Sequence, residues 1–359
     1  MYIRTPRIEI FTKKIEANTR TIVDMIHAAG GSAACITKVT CANPAVVRAL
    51  RAGGADMIAD SRILNLQSLV GTGLNLPLML LRIPAPNRVA DIVRCADYSL
   101  NSSVATVKKL SEAAQFFKVN HKVIIMVDIG DLREGVWPDH VNNVVKDMAN
   151  LPNIEIVGLG CNLACYGGVI PNHENMQMLV DIRDECRRVT GLELPVLSGA
   201  NSASLPVLFR GEMPKEINHY RIGETMLLGR NVIDRSPWPG MHQDTFRVVA
   251  EVVEIEPKPS IPIGERGQDA FGGHVEFVDR GIRRRAICNI GRQDVVVDNI
   301  IPEDPGIIVL GGSSDHLILD IEKAQNKITL GSEIAFSPGY GALLAASTSP
   351  YVQKVVIEK

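Results

Sequence analysis

The stretch DYSLNSSVATVKKLSEAAQFFKVNHKVIIMVDI, residues 97–129, contains one complete strand–helix–strand unit. Its two ends, residues 97–102 and 122–129, are short apolar runs of the kind that form strands. The middle, residues 103–118, repeats its apolar residues at the spacing of a helix. A strand, a crossover helix and a second strand in this order build a parallel sheet, so the stretch predicts an α/β fold.

The same alternation runs through the first two-thirds of the chain. Short apolar runs are each followed by a polar segment with helical spacing and then by a Gly, Asn or Pro break. Residues 172–190 form a further predicted helix, and the predicted strands are 33–38, 56–61, 76–82, 97–102, 122–129, 154–163, 194–201 and 217–224. Eight such units predict a (β/α)8 barrel of the TIM type over residues 11–235, with a doubly wound open sheet as the alternative.

The pattern changes near residue 236, at the linker SPWPG. Helical spacing then becomes rare, and predicted strands follow one another at 245–255, 285–290, 306–310, 316–321 and 327–335. We predict a mostly β C-terminal domain over residues 236–359, with residues 1–10 as a candidate addition to it. The arginines at 283–285 are typical of a solvated sheet edge, with an anion site as the alternative.

The composition excludes several classes of protein. With 38 basic and 40 acidic side chains the net charge is −2, so nothing favours binding to nucleic acid or to an anionic membrane. No apolar run approaches the ~20 residues of a membrane span, and the charged start MYIRTPRIEIF lacks a signal-peptide core. Seven cysteines, an odd number, argue against a disulfide framework. These features predict a cytoplasmic protein without nucleic-acid or membrane partners.

In a barrel of this kind, functional residues lie where strands end and loops begin. Lys38 follows the apolar run AACIT, where desolvation lowers the pKa of an ammonium group and frees the amine as a nucleophile. A lysine that merely extends its amine into solvent at a strand end is the alternative. The other polar or small residues at such positions are Arg82, Asn101, Asp128, Arg133, Asn162, Tyr166, Asn201, Ser202, Arg221 and Gly223.

Two turns near the end of the predicted barrel favour a phosphate. SGANSAS (198–204) and RIGETMLLG (221–229) place small residues where strands pass into helices, so backbone N–H groups and the Ser202 hydroxyl can bind an anion. Tight turns alone would explain the same glycines. Arg221 lies inside a predicted strand and needs an acceptor, either the carboxylate of Glu224 or an atom of a cofactor ring. A reactive lysine, a phosphate site and a cationic partner for a ring nitrogen together describe pyridoxal 5′-phosphate (PLP).

The chain resembles the alanine racemase family of PLP-dependent enzymes, which combine a barrel with a β domain. ITKVTCANP resembles the family's lysine motif, GANSAS its Asn-Ser phosphate turn and RIGETMLLG its Arg-x-Gly strand. The resemblance covers essentially the whole chain. The segments MVDIGDLREG, CYGGVIP, IPIGERGQDAFG and GYGALLAASTSPY are similar to the ornithine racemase branch of the family.

This resemblance implies an isomerase that interconverts the L- and D-forms of ornithine or a similar basic amino acid by passing the α-proton between two bases. It makes Lys38 both the covalent attachment point of PLP and one of the two bases. It implies that the cofactor is also bound by Arg133, Asn162, Asn201, Ser202, Arg221, Gly223, Glu224 and Tyr340, with Tyr351 as an alternative to Tyr340. We predict no metal site, because no His or Cys pair near Cys161 and Cys165 completes a zinc set.

The second base departs from the family pattern. Alanine racemases use a tyrosine of the partner subunit in an IGY stretch, whereas NIGRQD has Arg292 there, and arginine is a poor acid or base at neutral pH. We predict that the second base lies in SSDH, among Ser314, Asp315 and His316, and that the active unit is a head-to-tail homodimer with shared sites. A distal ammonium on the substrate would need a carboxylate, for which the candidates are Asp315, Asp294 and Asp269.

Three other functions fit parts of the pattern. A PLP-dependent decarboxylase of a basic amino acid would use the same scaffold, but Arg221 speaks against it because a guanidinium makes the cofactor ring a weaker electron sink. A non-catalytic PLP-binding protein would resemble the barrel alone. A Schiff-base aldolase without a cofactor would also use Lys38 and a phosphate site.

Overall fold

The computed structural model describes residues 3–274 and 276–358. Residues 1, 2, 275 and 359, which fall within the predicted β domain, lie outside the described residues. The chain divides into two compact units, one of Thr12–Gln243 and one that joins Met1–Phe11 to Asp244–Lys359. None of the described helices is both long and apolar enough to cross a membrane.

The unit Thr12–Gln243 alternates short parallel strands with helices. It is preceded by strand β1 (Arg7–Phe11), which belongs to the other unit. Its strands are β2 (Ser32–Ile36), β3 (Met57–Asp60), β4 (Leu78–Leu80), β5 (Tyr98–Asn101), β6 (His121–Met126), β7 (Ile154–Gly160), β8 (Val196–Ser198), β9 (Ala200–Asn201) and β10 (His219–Ile222). Its helices are α1 (Thr12–Ala28), α2 (Pro44–Ala52), α3 (Ile63–Leu69), α4 (Val89–Cys95), α5 (Val104–Phe117), α6 (Val141–Met148), α7 (His173–Thr190), α8 (Leu205–Phe209) and α9 (Glu224–Leu228). Short 3-10 helices cover Lys38–Thr40, Pro138–His140 and Ser202–Ser204.

The strands of this unit close into a barrel. Neighbouring strands pair in parallel from β2 to β8, and β10 pairs with both β2 and β9. Since β8 and β9 are one run of chain interrupted only at Gly199, the sheet returns to its starting strand after eight strand positions. The predicted TIM-type barrel is confirmed, and the open-sheet alternative is wrong.

The barrel contains a buried hydrophobic cluster. Its buried cluster consists of Ala34, Met57, Ala59, Met79, Leu100, Ile124, Met126 and Val157. Residues in register on adjacent parallel strands share a face of the sheet. Because Arg221 of β10 is in register with Ala34 of β2, its side chain projects into this interior. A cation therefore enters a mainly hydrophobic core, and it needs dedicated acceptors there.

The second unit is a mostly antiparallel sheet. Its remaining elements are β11 (Phe246–Pro259), β12 (Ile282–Cys288), a 3-10 helix (Val297–Asn299), β13 (Ile300–Pro302), β14 (Ile308–Gly312), β15 (Leu317–Asp320), β16 (Glu333–Pro338), α10 (Tyr340–Thr348) and β17 (Gln353–Ile357). The strand order is β13-β16-β11-β12-β15-β14, and β1 pairs with β11 antiparallel and with β17 in parallel. The prediction of a mostly β C-terminal domain is confirmed in class, while α10, β13 and β17 were not predicted.

The expectation of an arginine-rich sheet edge at 283–285 is wrong. Strand β12 lies between β11 and β15, so both of its edges are paired. The Arg283 Nε donates to Oδ2 of the buried Asp320 at 2.9 Å, and this ion pair holds the pKa of the Asp320 carboxyl below its usual range against the effect of burial. The Arg283 side chain is thus committed to a cross-strand contact inside the sheet.

Candidate active site

Lys38 is fixed by the residue that precedes it. The Thr37 amide donates to the Ala59 carbonyl at 3.0 Å, and its hydroxyl donates to Asp60 Oδ2 at 2.7 Å. The Thr37 carbonyl accepts from the Thr40 amide at 2.9 Å, which closes the 3-10 turn that carries the lysine. Because the amide, the carbonyl and the hydroxyl of Thr37 all have hydrogen-bond partners, the backbone that carries the Lys38 side chain has a defined position at the end of β2.

Asp60 is a site residue that the sequence analysis missed. It is fully buried at the end of β3, and its carboxylate also accepts from the Arg62 amide at 2.8 Å and from Asn65 Nδ2 at 3.0 Å. Burial raises the pKa of this carboxyl, while its hydrogen bonds oppose the rise. An aspartate that closes the apolar run DMIAD was the available signal, because an acid at such a position must find buried donors.

The Lys38 amine has an unusual electrostatic setting. The residue keeps contact with solvent, yet the surrounding protein removes enough hydration to lower the pKa of the amine. Electrostatic interactions with Cys165, Asp60 and Glu134 oppose this shift, and Arg133 adds to it. Among the described residues, no carboxylate lies within ion-pair distance of the amine. A lysine that is desolvated but unpaired has a larger unprotonated, nucleophilic fraction at neutral pH.

Arg133 lies in the loop that follows β6. Its guanidinium pairs with the Glu134 carboxylate through Nε and Nη2, and Nη1 donates to Cys165 Sγ at 2.7 Å. Together these contacts raise the pKa of Arg133 despite partial desolvation. Arg133 therefore links its own loop to the loop after β7, which contains Cys165.

Asp131 ties the same two loops together. Its buried carboxylate accepts from the backbone amides of Cys165 at 3.3 Å, Tyr166 at 2.9 Å and Val169 at 3.3 Å. Its carbonyl accepts from the Gly167 amide at 2.9 Å, and a Cβ on that glycine would lie 2.7 Å from the same oxygen. One acidic side chain thus holds the whole 165–169 turn beside Arg133.

Replacing Asp131 with alanine should lower the free energy of unfolding by about 3 kcal/mol, because several backbone N–H groups lose their acceptor. Urea unfolding followed by circular dichroism measures this change. Asp139→Ala, at an exposed position in the next turn, is the matched control and should change stability by less than about 0.5 kcal/mol. Equal stabilities for the two variants would show that the turn does not depend on Asp131.

Arg221 finds its acceptors in the backbone. Its Nη1 donates to the carbonyl and hydroxyl of Ser198, and its Nη2 donates to the carbonyl of Cys161. Burial lowers the pKa of this guanidinium, which remains a cation at neutral pH. Glu224 is not its partner, since that carboxylate pairs with Arg235. Of the two acceptors that the sequence analysis considered for Arg221, the carboxylate is therefore wrong.

Two histidines are buried as neutral side chains in this unit. His219 Nδ1 lies 2.7 Å from Ser198 Oγ, which also contacts Arg221, and His121 Nε2 lies 2.7 Å from Ser99 Oγ. Burial lowers the pKa of His219 to about 3, with a further contribution from Arg221, and burial lowers the pKa of His121 to about 4. Neither ring is charged near neutral pH.

The predicted small-residue turns meet in the structure. The Ser202 hydroxyl accepts from the Gly223 amide at 3.2 Å, which joins the turn after β9 to the turn after β10. A Cβ on Gly223 would lie 3.2 Å from the Ile36 Cβ, so this turn packs closely against the end of β2. The Thr225 hydroxyl, two residues further on, is fully buried and has no hydrogen-bond partner among the described residues.

Asn162 and Asn201 also come together. Asn201 Nδ2 donates to the Leu163 carbonyl at 2.8 Å and to Asn162 Oδ1 at 3.3 Å, while its Oδ1 caps the following 3-10 helix by accepting from the Ala203 amide at 2.8 Å. The end of β7 is thereby joined to the end of β9. Of the remaining strand-end positions, Arg82 and Tyr166 are exposed, and Asn101 is buried with its amide on Ser99.

Ser314, Asp315 and His316 form an exposed turn between β14 and β15. Asp315 Oδ1 lies 3.2 Å from the Ser314 hydroxyl and 3.4 Å from His316 Nδ1. The Gln293 amide donates to the Ser314 carbonyl at 2.9 Å, and Arg292 Nε donates to the Gly312 carbonyl at 2.9 Å. The segments NIGRQD and SSDH, which were singled out separately in the sequence, are thus neighbours in the β unit.

The other candidates of the β unit have local roles. Tyr340 begins α10 and is half-buried, whereas Tyr351 is exposed. Asp294 is buried and accepts from the Ser349 hydroxyl at 2.7 Å. Asp269 accepts from the backbone amides of its own loop at positions 271 and 273. Of the three acids proposed for a distal ammonium, Asp315 alone keeps an exposed carboxylate without such backbone or buried contacts.

A closed barrel with a desolvated lysine, two arginines and joined small-residue turns at the ends of its strands has the site architecture of a barrel enzyme. Residues 10–231 match the family described as "Alanine racemase, N-terminal domain". The chain belongs to the alanine racemase family, which confirms the resemblance seen in its motifs.

Two relatives match almost the full chain. It is 43% identical to the ornithine racemase of Acetoanaerobium sticklandii over 353 residues, covering 98% of this chain and 99% of that protein. It is 41% identical to the lysine racemase of Thermotoga maritima over 350 residues, covering 98% of both proteins. Among solved structures, the alanine racemase of Bacillus anthracis shares the fold with a TM-score of 0.75 at 15% identity, covering all of this chain and 96% of that one.

Proposed function

We propose that the protein is a PLP-dependent racemase of ornithine or a similar basic amino acid. The observation that carries this proposal is the Lys38 amine, desolvated at the end of β2 and without a carboxylate at ion-pair distance among the described residues. The full-length similarity to an ornithine racemase and to a lysine racemase supports the reaction and the substrate class. The decarboxylase and the non-catalytic PLP carrier have no comparable support.

The residues present fit PLP. Lys38 supplies a free amine for its aldehyde, and the joined turns of Ser202 and Gly223 supply a hydroxyl and backbone amides for its phosphate. The buried Thr225 hydroxyl, which lacks a partner in the described residues, is an orphaned donor beside that turn. Arg221 offers a fixed cation to the ring nitrogen, with Arg133, Asn162, Asn201, Glu224 and Tyr340 as the further proposed contacts.

The bound cofactor would supply an electron sink that stabilises the negative charge left when the α-proton departs. Lys38 would then hold the proton on one face of the substrate, as its lowered pKa favours exchange near neutral pH. Arg221 cannot pass a proton to the ring nitrogen, because its guanidinium remains charged. This limits the electron sink and favours rapid return of the proton to the substrate carbon.

The second base is proposed to come from a second copy of the chain, within Ser314, Asp315 and His316. The loops after β6 and β7 carry exposed apolar side chains that support a covering partner, namely Leu132, Trp137, Tyr166 and Ile170. The exposed position of the SSDH turn supports its reaching into a neighbouring subunit. We therefore propose a head-to-tail homodimer with shared sites, which these exposed side chains support.

The monomer is expected to be inactive, because it would lack one of the two bases. Activity measured at protein concentrations spanning the monomer–dimer transition in analytical ultracentrifugation should follow the dimer fraction. Full activity in a species that sediments as a single subunit would contradict the shared site.

Incubation with single L-amino acids in heavy water tests the function directly. Ornithine or lysine should acquire deuterium at the α-carbon and lose optical purity at matching rates. Deuterium uptake with retained chirality, or release of carbon dioxide, would show another reaction. We also propose a cytoplasmic location, which the odd number of cysteines, seven, supports because it argues against a disulfide framework.

A further inference from the structure

We propose that Glu134 binds the distal ammonium of the substrate and so selects basic amino acids. This inference rests on the proposed function and extends it to a specificity-determining residue that the sequence analysis did not consider. Asp315, Asp294 and Asp269, the acids considered there, all belong to the β unit, whereas Glu134 belongs to the same barrel as Lys38.

The loop that carries Glu134 has a fixed shape. Asp128 Oδ1 accepts from the Gly130 amide at 2.9 Å and from the Leu132 amide at 3.1 Å. Gly135 has a φ of 143°, and a Cβ there would lie 2.3 Å from the Asp128 nitrogen, so the chain can turn back only at a glycine. The turn holds Glu134 at the carboxyl end of β6, where its side chain is 19% exposed.

Glu134 is an acid that interacts with three cations of the site. Its carboxylate pairs with Arg133, and its charge acts on the pKa values of both Lys38 and the buried Arg221. Arg133 occupies both oxygens from one side, but a carboxylate has about four lone-pair positions, so acceptor capacity remains for an ammonium group. The distal ammonium of the substrate would bind at the lone pairs of this carboxylate that Arg133 leaves free.

The other acids near the carboxyl ends of the barrel strands are already committed. Asp60 is fully buried and accepts from three donors, Asp128 accepts from two loop amides, and Asp131 holds the 165–169 turn. Glu224 pairs with Arg235. Glu134 is paired as well, but its partner Arg133 is itself a proposed site residue, so the carboxylate of Glu134 is held within the site and remains partly exposed.

The test compares ornithine with norvaline, which has the same carbon chain without the distal ammonium. We expect Glu134→Gln to reduce kcat/KM for ornithine about 100-fold, since an ammonium that loses its carboxylate partner is left in a partly desolvated site. The loss for norvaline should be at least about tenfold smaller, because norvaline lacks the distal ammonium and loses only what the changed pairing of Arg133 costs. Glu134→Asp, which keeps the charge, should recover at least about tenfold for ornithine.

Asp315→Asn is the matched control. Because Asp315 is proposed to act in proton transfer, this variant should lose the same factor in kcat/KM for ornithine and for norvaline. If Glu134→Gln reduces ornithine and norvaline equally, Glu134 acts only by positioning Arg133, and the inference is wrong. If only Asp315→Asn reduces kcat/KM for ornithine more than for norvaline, the distal ammonium binds at the turn of Ser314, Asp315 and His316 in a second copy of the chain. The inference is then also wrong. If the wild-type protein racemises neither ornithine nor lysine, the proposed function itself is wrong, which is a distinguishable result.

Discussion

Replacement of Lys38 by alanine should reduce racemisation by at least about 10⁴-fold, since the variant loses both a covalent attachment point and a proton carrier. The visible absorbance of the purified protein should disappear with it. Chiral chromatography of ornithine after incubation measures the rate, and the fold should survive because Lys38 is exposed and makes no ion pair among the described residues.

Lys109→Ala is the control, because Lys109 is an exposed lysine on α5 in the same unit. It should leave both colour and rate unchanged. Borohydride treatment of the wild type followed by peptide mapping should label Lys38 alone, and added methylamine should partly restore proton transfer in Lys38→Ala. A label on another lysine would show that the assignment of Lys38 is wrong.

Acidification from pH 7 to pH 5 should lower the free energy of unfolding by about 4 kcal/mol through two buried histidines, about 2 kcal/mol each. His219 and His121 have folded-state pKa values of about 3 and about 4, below the unfolded value of about 6.5. At a pH between its folded and its unfolded pKa, each histidine binds a proton in the unfolded chain but not in the folded chain. The two histidines therefore stabilise the fold fully above about pH 6.5. This contribution is lost as the pH falls below 6.5, down to about 4 for His121 and about 3 for His219.

Urea unfolding at several pH values separates this effect from that of other groups. His219→Asn and His121→Asn should each remove about half of the histidine contribution to the pH dependence, whatever their effect on stability at pH 7. His173→Asn, at an exposed position on α7, should leave the pH profile unchanged. If the free energy of unfolding depends on pH in the same way in all three variants, burial does not keep either ring neutral.

The barrel was predictable from the sequence because its strands are buried on both faces. Such strands read as short, continuous apolar runs, and the predicted run 122–129 corresponds to β6 and the bridge that follows it. Helix α5 begins at Val104, next to the capping Ser103, within one residue of the predicted start. These signals are local, so a single sequence contains them.

The partners of the site residues were not predictable in the same way. Arg221 is bound by the carbonyls of Ser198 and Cys161, and a backbone carbonyl leaves no mark in the sequence. Asp60 and Asp131 act across loops that are neighbours only in the folded chain. The sequence does indicate which polar residues lie at strand ends, but the choice among their possible contacts depends on loop geometry.

Strand β1 has a consequence for how the chain is made. It is paired with β11 and β17, at residues 246–249 and 353–357, although all strands and helices of the barrel unit lie between it and these partners in the chain. The whole barrel is translated while β1 still lacks both neighbours. During synthesis β1 therefore stays unpaired at least until β11 has emerged, and a fusion placed ahead of β1 would burden the sheet of the β unit, not the barrel that follows it directly.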